Sequence, residues 1–107
     1  MVYFVLLLHK QGALEMKKIT MFTMESCPYC QQALRWMDTL LTDNPQYQAI
    51  EIEKIDELVY PDIADKFDYY YVPTYYVDGS KLHEGAASKE IIRKVFETAL
   101  ESARTTG

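Results

Sequence analysis

The chain has 107 residues, of which 49% are hydrophobic and 25% charged, so it is predicted to form one globular domain with a modest core and not a disordered chain. Its net charge of −5 disfavours nucleic acid as a partner, because excess carboxylates are repelled by phosphate backbones. No stretch approaches the roughly 20 apolar residues of a membrane-spanning helix, so no membrane partner is expected.

The first fifteen residues are predicted to lie outside the domain. Val2–Leu8 is an apolar run, but no basic region precedes it and no small-residue cleavage site follows it, which makes a poor signal peptide. Met16, followed by Lys17, resembles an alternative start. We therefore place the domain at residues 16–104 and expect residues 1–15 to be an edge strand, a disordered tail or an upstream segment foreign to the protein, which the site does not need.

The first half of the domain has the pattern of a β-α-β unit. Lys18–Met24 is apolar nearly throughout, as a central buried strand would be. Pro28 suits the first turn of a helix, and Asp43-Asn44-Pro45 ends that helix. Gln48–Ile55 alternates between polar and apolar residues and is predicted to be the second strand. The two strands should be parallel, with a right-handed crossover.

The second half is predicted to be a short helix, a hairpin and a covering helix. These elements are a helix from Pro61 to Phe67, strands at Thr74–Val77 and Lys81–Glu84 joined by an Asp78-Gly79 turn, and a last helix capped by Ser88. The resulting order, β-α-β-α-β-β-α, predicts an α/β fold with a four-stranded mixed sheet and helices on both faces.

The chain has two cysteines, Cys27 and Cys30, separated by two residues. A disulfide that closes so short a loop removes little entropy from the unfolded chain, so it would add little to the stability of the fold. The spacing therefore favours reactive thiols. The low number of cysteines favours a reducing compartment, and a cytoplasmic location is expected.

The predicted position of the pair explains how it would react. Cys27 would lie exposed at a helix N-terminus, where unpaired N–H groups favour the thiolate that attacks disulfides. Cys30, one turn later and more buried, would resolve the mixed disulfide. Pro28 would stiffen the turn, and Tyr29 would offer an apolar face to the substrate. The negative charge of Glu25 would disfavour ionisation of the nearby Cys27 thiol.

Val72-Pro73 is the second candidate part of the site. The proline is consistent with an ordinary edge strand, or with a cis peptide bond that turns the Val72 backbone towards Cys27, ready to pair with an extended substrate segment. Nine tyrosines are present, and five of them surround Pro73. Core packing is predicted for most of these, while Tyr71 and Tyr29 are candidates for lining a substrate groove.

These motifs resemble the thioredoxin superfamily, on the glutaredoxin side. The resemblance rests on Cys-Pro-Tyr-Cys at residues 27–30, Val-Pro-Thr at residues 72–74 and the Asp78-Gly79 hairpin before a final helix, and it covers roughly residues 17–103. It implies a nucleophilic Cys27, a resolving Cys30 and a cis Pro73 beside them. Glutathione or a reductase is the expected electron donor, and no bound cofactor is expected.

The departures from the family pattern concern its usual accessory residues. Ser26 and Met21 stand where thioredoxins carry a Trp and a buried acid. Met24 stands where glutathione-using glutaredoxins usually carry a Lys, and Gly85–Lys89 lacks their glycine pair and Asp. Ser88 and the helix N-terminus remain as candidate contacts for a glutathione carboxylate. Glutathione is therefore expected to be used inefficiently.

Three functions remain open from the sequence. The leading hypothesis is a monomeric dithiol enzyme that reduces a disulfide-containing protein or peptide. The second is deglutathionylation by Cys27 alone, and the third is a redox-inactive module that binds peptides around Val72 and Pro73. A zinc site is disfavoured because zinc wants four ligands, and a shared iron–sulfur cluster is disfavoured by the presence of Cys30.

Overall fold

The computed structural model describes residues 17–106, so the predictions for residues 1–15 lie outside the described part of the chain. The elements there, in chain order, are β1 (Ile19–Thr23), α1 (Pro28–Asp43), a 3-10 helix (Pro45–Ala49), β2 (Ile52–Asp56), α2 (Pro61–Ala64), β3 (Thr74–Val77), β4 (Ser80–Glu84) and α3 (Lys89–Thr106).

The four strands form one mixed sheet in the order β2-β1-β3-β4. β1 and β2 are parallel, as the β-α-β pattern predicts, while β3 runs antiparallel to both β1 and β4. β1 lies inside the sheet with all five residues buried, which is why its sequence is apolar nearly throughout. The mixed sheet confirms the predicted fold class.

Alternate residues of β1 point into two separate cores. Ile19 and Met21 face the helices α1 and α3, whereas Phe22 faces α2 on the opposite side of the sheet. The larger core is completed by Ala33, Met37, Leu40, Ile92, Val95, Phe96 and Ala99 from the two long helices. Helices therefore cover both faces, and the larger core fixes α1, the helix that carries the cysteines.

The prediction of a strand over Gln48–Ile55 is wrong in its first half. Pro45 opens a 3-10 helix that runs to Ala49, and β2 begins only at Ile52. Tyr47 explains the difference, because its ring is buried against Phe96, with centroids 5.2 Å apart, and its hydroxyl donates to Glu97. Tertiary packing of one aromatic ring thus overrides the alternating pattern.

The predicted hairpin is confirmed, and the short helix before it is shorter than predicted. Asp78 and Gly79 have φ angles of 52° and 90°, the left-handed pair that a two-residue hairpin needs. α2 ends at Ala64: the amide of Asp65 still bonds four residues back, to Pro61, but the amides of Lys66 and Phe67 bond only three residues back. This tighter turn brings Phe67 onto Phe22, at a centroid distance of 4.8 Å.

Candidate active site

Cys27 lies at the junction of β1 and α1, where it is the N-cap of the helix. Its backbone is extended, and its Sγ accepts a hydrogen bond from the backbone N–H of Cys30 at 3.1 Å. Pro28 occupies the first helical position, where a missing N–H leaves no bond unmade. The prediction that the leading sulfur sits where the helix begins is therefore confirmed.

The two thiols differ in exposure, although less than the sequence suggested. Cys30 is fully buried, and Cys27 is 8% exposed, so the expected exposed position of Cys27 is wrong. The reason is a segment 45 residues away: the carbonyl of Val72 lies 3.8 Å from the Cys27 Sγ, which donates to it. The Val72 segment therefore covers part of the Cys27 sulfur. Both cysteines are free thiols.

The peptide bond between Val72 and Pro73 is cis, as the resemblance implies. Pro73 immediately precedes β3, which lies between β1 and β4, so the interpretation as an edge-strand proline is wrong. Its carbonyl accepts the N–H of Gly85 at 2.8 Å, which ties the start of β3 to the end of β4. The sheet thus holds the Val72 backbone against Cys27.

Three exposed tyrosines lie close in sequence to Cys27 or to the cis peptide bond. Tyr29 follows Pro28 on α1, and Tyr70 and Tyr71 directly precede the cis bond; all three side chains are more than half exposed. By contrast, Tyr75 and Tyr76 are buried, as core packing predicts. Tyr29 and Tyr71, the two candidates for a substrate groove, are therefore both exposed, and Tyr70 is exposed as well.

The loop that carries Tyr70 and Tyr71 is held by one carboxylate. Glu84 accepts the N–H groups of Tyr70 at 2.6 Å and Tyr71 at 3.0 Å, and it forms an ion pair with Lys81 at 2.7 Å. The lysine contact, followed by the two amides, lowers the pKa of Glu84 to about 2. Nothing in the sequence links Glu84 to this loop, so sequence analysis missed it.

Glu84→Gln is expected to lower stability at neutral pH, because the amide carries no charge for Lys81 or for the two N–H donors. A carboxyl whose pKa is lower in the folded state stabilises the protein above its unfolded pKa, about 4.5, and the effect disappears as the pH falls towards about 2. Melting temperatures across that range should therefore converge for the two proteins. A difference that stays constant with pH would contradict this role.

The environment of Cys30 suits a resolving thiol that reacts late. Burial, and next the neighbouring Cys27 thiol, raise the pKa of Cys30 well above its ordinary value. Cys30 is therefore a neutral thiol in the resting protein. The Thr23 hydroxyl and the Met24 backbone lower the pKa of Cys30, but by less than these two effects raise it. Thr23 is a second site residue that sequence analysis missed, since a threonine in an apolar strand carries no distinctive signal.

Ser88, the remaining predicted contact, caps α3. Its Oγ accepts the N–H of Ile91 at 3.1 Å, which confirms the predicted N-cap. Its role in binding substrate stays a prediction, as do those of Tyr29, Val72 and Pro73. Across residues 17–106 there is no group of three or more side chains suited to hold a metal ion, and no helix long and apolar enough to cross a membrane.

Comparison with known proteins places this site in a family context. The thioredoxin domain family matches residues 17–97. A thioredoxin from Methanocaldococcus jannaschii is 30% identical over 83 residues, which cover 78% of this chain and 95% of that protein.

Solved structures share the fold at lower sequence identity. Thioredoxin O1 from Arabidopsis thaliana, in its oxidized state, aligns with a TM-score of 0.63 at 20% identity, covering 91% of this chain and 89% of the other. Mitochondrial thioredoxin 3 from Saccharomyces cerevisiae, also oxidized, aligns with a TM-score of 0.62 at 19% identity, covering 87% and 88%. The relatives named here are thioredoxins, whereas the sequence motifs pointed to the glutaredoxin side.

Proposed function

Because the chain belongs to the thioredoxin domain family and is a thiol–disulfide oxidoreductase, we propose that it reduces disulfide bonds of other proteins through a dithiol cycle. One observation carries the proposal. The Cys27 sulfur accepts the N–H of Cys30 at the start of α1, with the Cys30 thiol buried directly behind it. This is the arrangement that a nucleophilic sulfur and its resolving partner require.

The first step is the attack of Cys27 on the substrate disulfide. The N–H of Cys30 and the positive end of the helix dipole stabilise the attacking thiolate. Its electron pair forms a bond to one substrate sulfur, and the other substrate sulfur leaves and takes up a proton. The Val72 backbone, 3.8 Å from the Cys27 Sγ, is placed to align an extended substrate segment, and Tyr71 and Tyr29 add exposed apolar contact.

The second step releases the substrate and closes the internal disulfide. Cys30 loses its proton and attacks the Cys27 sulfur. The substrate sulfur that was bonded to Cys27 leaves with the electron pair of the broken bond and takes up a proton. The dithiol is then restored by two electrons from a reductase or from glutathione. We propose that the protein works in this way as a monomer in the cytoplasm, where thiols are kept reduced.

A second candidate, deglutathionylation by Cys27 alone, would be a glutaredoxin-type activity. Ser88 and the N-terminus of α3 would receive a glutathione carboxylate, although the Ser88 oxygen already accepts the N–H of Ile91. The buried Cys30 lies one helical turn from Cys27, which favours the dithiol cycle. A monothiol reaction does not use the Cys30 thiol at all. The two activities differ in whether Cys30 is needed.

Cys30→Ser is expected to trap a mixed disulfide between Cys27 and a protein substrate. Without the resolving thiol, release depends on an external thiol, so turnover should fall by at least about tenfold at limiting dithiothreitol. Non-reducing electrophoresis and mass spectrometry detect the trapped complex. A parallel assay with a glutathionylated peptide, and with glutathione as the reductant, separates the two candidates.

Each outcome of this assay has a distinct meaning. Loss of protein reduction, with a trapped complex, supports the dithiol cycle. Full activity of Cys30→Ser on both substrates would overturn that cycle and favour the monothiol reaction. If neither the wild-type protein nor the variant reduces any disulfide, the redox-inactive binding module replaces both proposals.

A further inference from the structure

Thr23, the last residue of β1, has a buried hydroxyl without an ordinary hydrogen bond. Thr23 is only 9% exposed, and its Oγ1 is the one buried side-chain polar atom without a partner among the described residues. A buried hydroxyl left unpaired costs free energy of folding, because it loses its hydrogen bonds to water without replacement. A buried polar group without a partner is unusual in a folded protein and often has a functional role. Thr23 lies four residues before Cys27 in the sequence.

The strand places this hydroxyl on the side of Cys30. Residues of β1 alternate between the two faces, and Ile19 and Met21 point towards α1 and α3. Thr23 continues the same face. In the register of β1 with β3, Phe22 pairs with Thr74, so Thr23 reaches the level of Pro73, beside the start of α1.

Neighbouring groups act on a charge at the Cys30 sulfur in both directions. The Cys27 thiol and the Tyr75 phenol, from α1 and β3, both interact unfavourably with a charge on Cys30. The Thr23 hydroxyl and the Met24 backbone favour that charge. Thr23 is therefore the side chain that counteracts burial, although it forms no regular hydrogen bond to the neutral thiol.

We propose that Thr23 is a positioning residue for the resolving step, whose hydroxyl donates a hydrogen bond to the Cys30 sulfur as that sulfur becomes a thiolate. The inference rests on the proposed dithiol cycle. In the mixed disulfide, the Cys30 thiolate forms the bond to Cys27 and the substrate sulfur leaves with the electron pair, finally taking up the proton that Cys30 lost. Thr23 keeps its own proton throughout, so its hydroxyl orients and stabilises the sulfur and does not act as a base.

Thr23→Val, which replaces the hydroxyl with a methyl group, is expected to slow the resolving step about tenfold. The probe is 5,5′-dithiobis(2-nitrobenzoate) added to the reduced protein in a stopped-flow instrument. Attack by Cys27 releases one coloured thiolate in a second-order step. Attack by Cys30 releases another in a first-order step, which should be the slowed one. The pH profile of this first-order step should lie about one pH unit higher in Thr23→Val than in the wild-type protein. The rates of the two proteins should become equal at high pH, where Cys30 is ionised in both.

Two further variants separate this role from a general loosening of the fold. Thr23→Ser keeps the hydroxyl and should restore the rate. Thr20→Val makes the same change at an equally buried threonine on the opposite face of β1, and should leave both steps unchanged. A Thr23→Val protein that resolves at the wild-type rate, or that is slowed equally at every pH, would overturn the inference while leaving the dithiol cycle intact. A wild-type protein that releases only one thiolate would instead overturn the cycle itself.

Discussion

Cys27→Ser is expected to lower the reduction of a protein disulfide by at least about a thousandfold. A serine hydroxyl stays protonated at neutral pH, so the position at the helix N-terminus no longer supplies a strong nucleophile. Cys30 does not replace it, because it is fully buried behind Cys27. Turnover with dithiothreitol as the reductant, corrected for the uncatalysed reaction, measures the loss.

The same variant should fold normally, which makes the loss of activity interpretable. Serine is nearly the same size as cysteine and still accepts a hydrogen bond as an N-cap, so the free energy of unfolding should change by less than about 1 kcal/mol. If Cys27→Ser keeps a tenth or more of the activity, the nucleophile is a different group. Comparison with Cys30→Ser then shows whether the second sulfur acts in its place.

Phe96→Ala is expected to produce the largest loss of stability, about 3–5 kcal/mol. Phe96 is fully buried in the larger core, where α3 packs against α1 and the Phe96 and Tyr47 rings meet in a T-shaped pair. Its removal leaves a cavity that helices tied to the same sheet fill only in part. Because small domains are stable by about 5–15 kcal/mol, urea denaturation should show a large fall in the transition midpoint.

Tyr70→Ala is the matched aromatic control. Its side chain is 85% exposed, so its removal should change the free energy of unfolding by no more than about 0.5 kcal/mol. Equal losses in the two variants would mean that the larger core is not where the stability of the domain resides. A stable Phe96→Ala protein would contradict the packing of α3 against α1.

The parts of the site that depend on local sequence were predictable. The spacing of Cys27 and Cys30, the proline between them and the apolar strand before them define a strand-to-helix junction within about a dozen residues. The end of α1 at Asp43 and the Asp78-Gly79 turn are also determined locally, because they depend on backbone conformations that the residues there favour. The order and type of the main elements followed from these signals.

The remaining parts depend on contacts between distant segments, which one sequence does not display. Cys27 is more buried than predicted because Val72, 45 residues away, lies over it. Glu84 holds the amides of Tyr70 and Tyr71 from the neighbouring strand. Tyr47 converts the start of a predicted strand into a 3-10 helix by packing on the last helix. In each case tertiary packing decides the outcome.

Equilibration of the reduced protein with glutathione buffers of increasing oxidised fraction tests the central claim most directly. Acid quenching, alkylation and mass spectrometry count the free thiols at each point. We expect a single two-electron transition in which Cys27 and Cys30 lose their thiols together and the chain loses two hydrogen atoms, reversed by dithiothreitol. Two thiols that stay alkylatable in every buffer, or a stable glutathione adduct on Cys27 with Cys30 still free, would contradict the dithiol cycle.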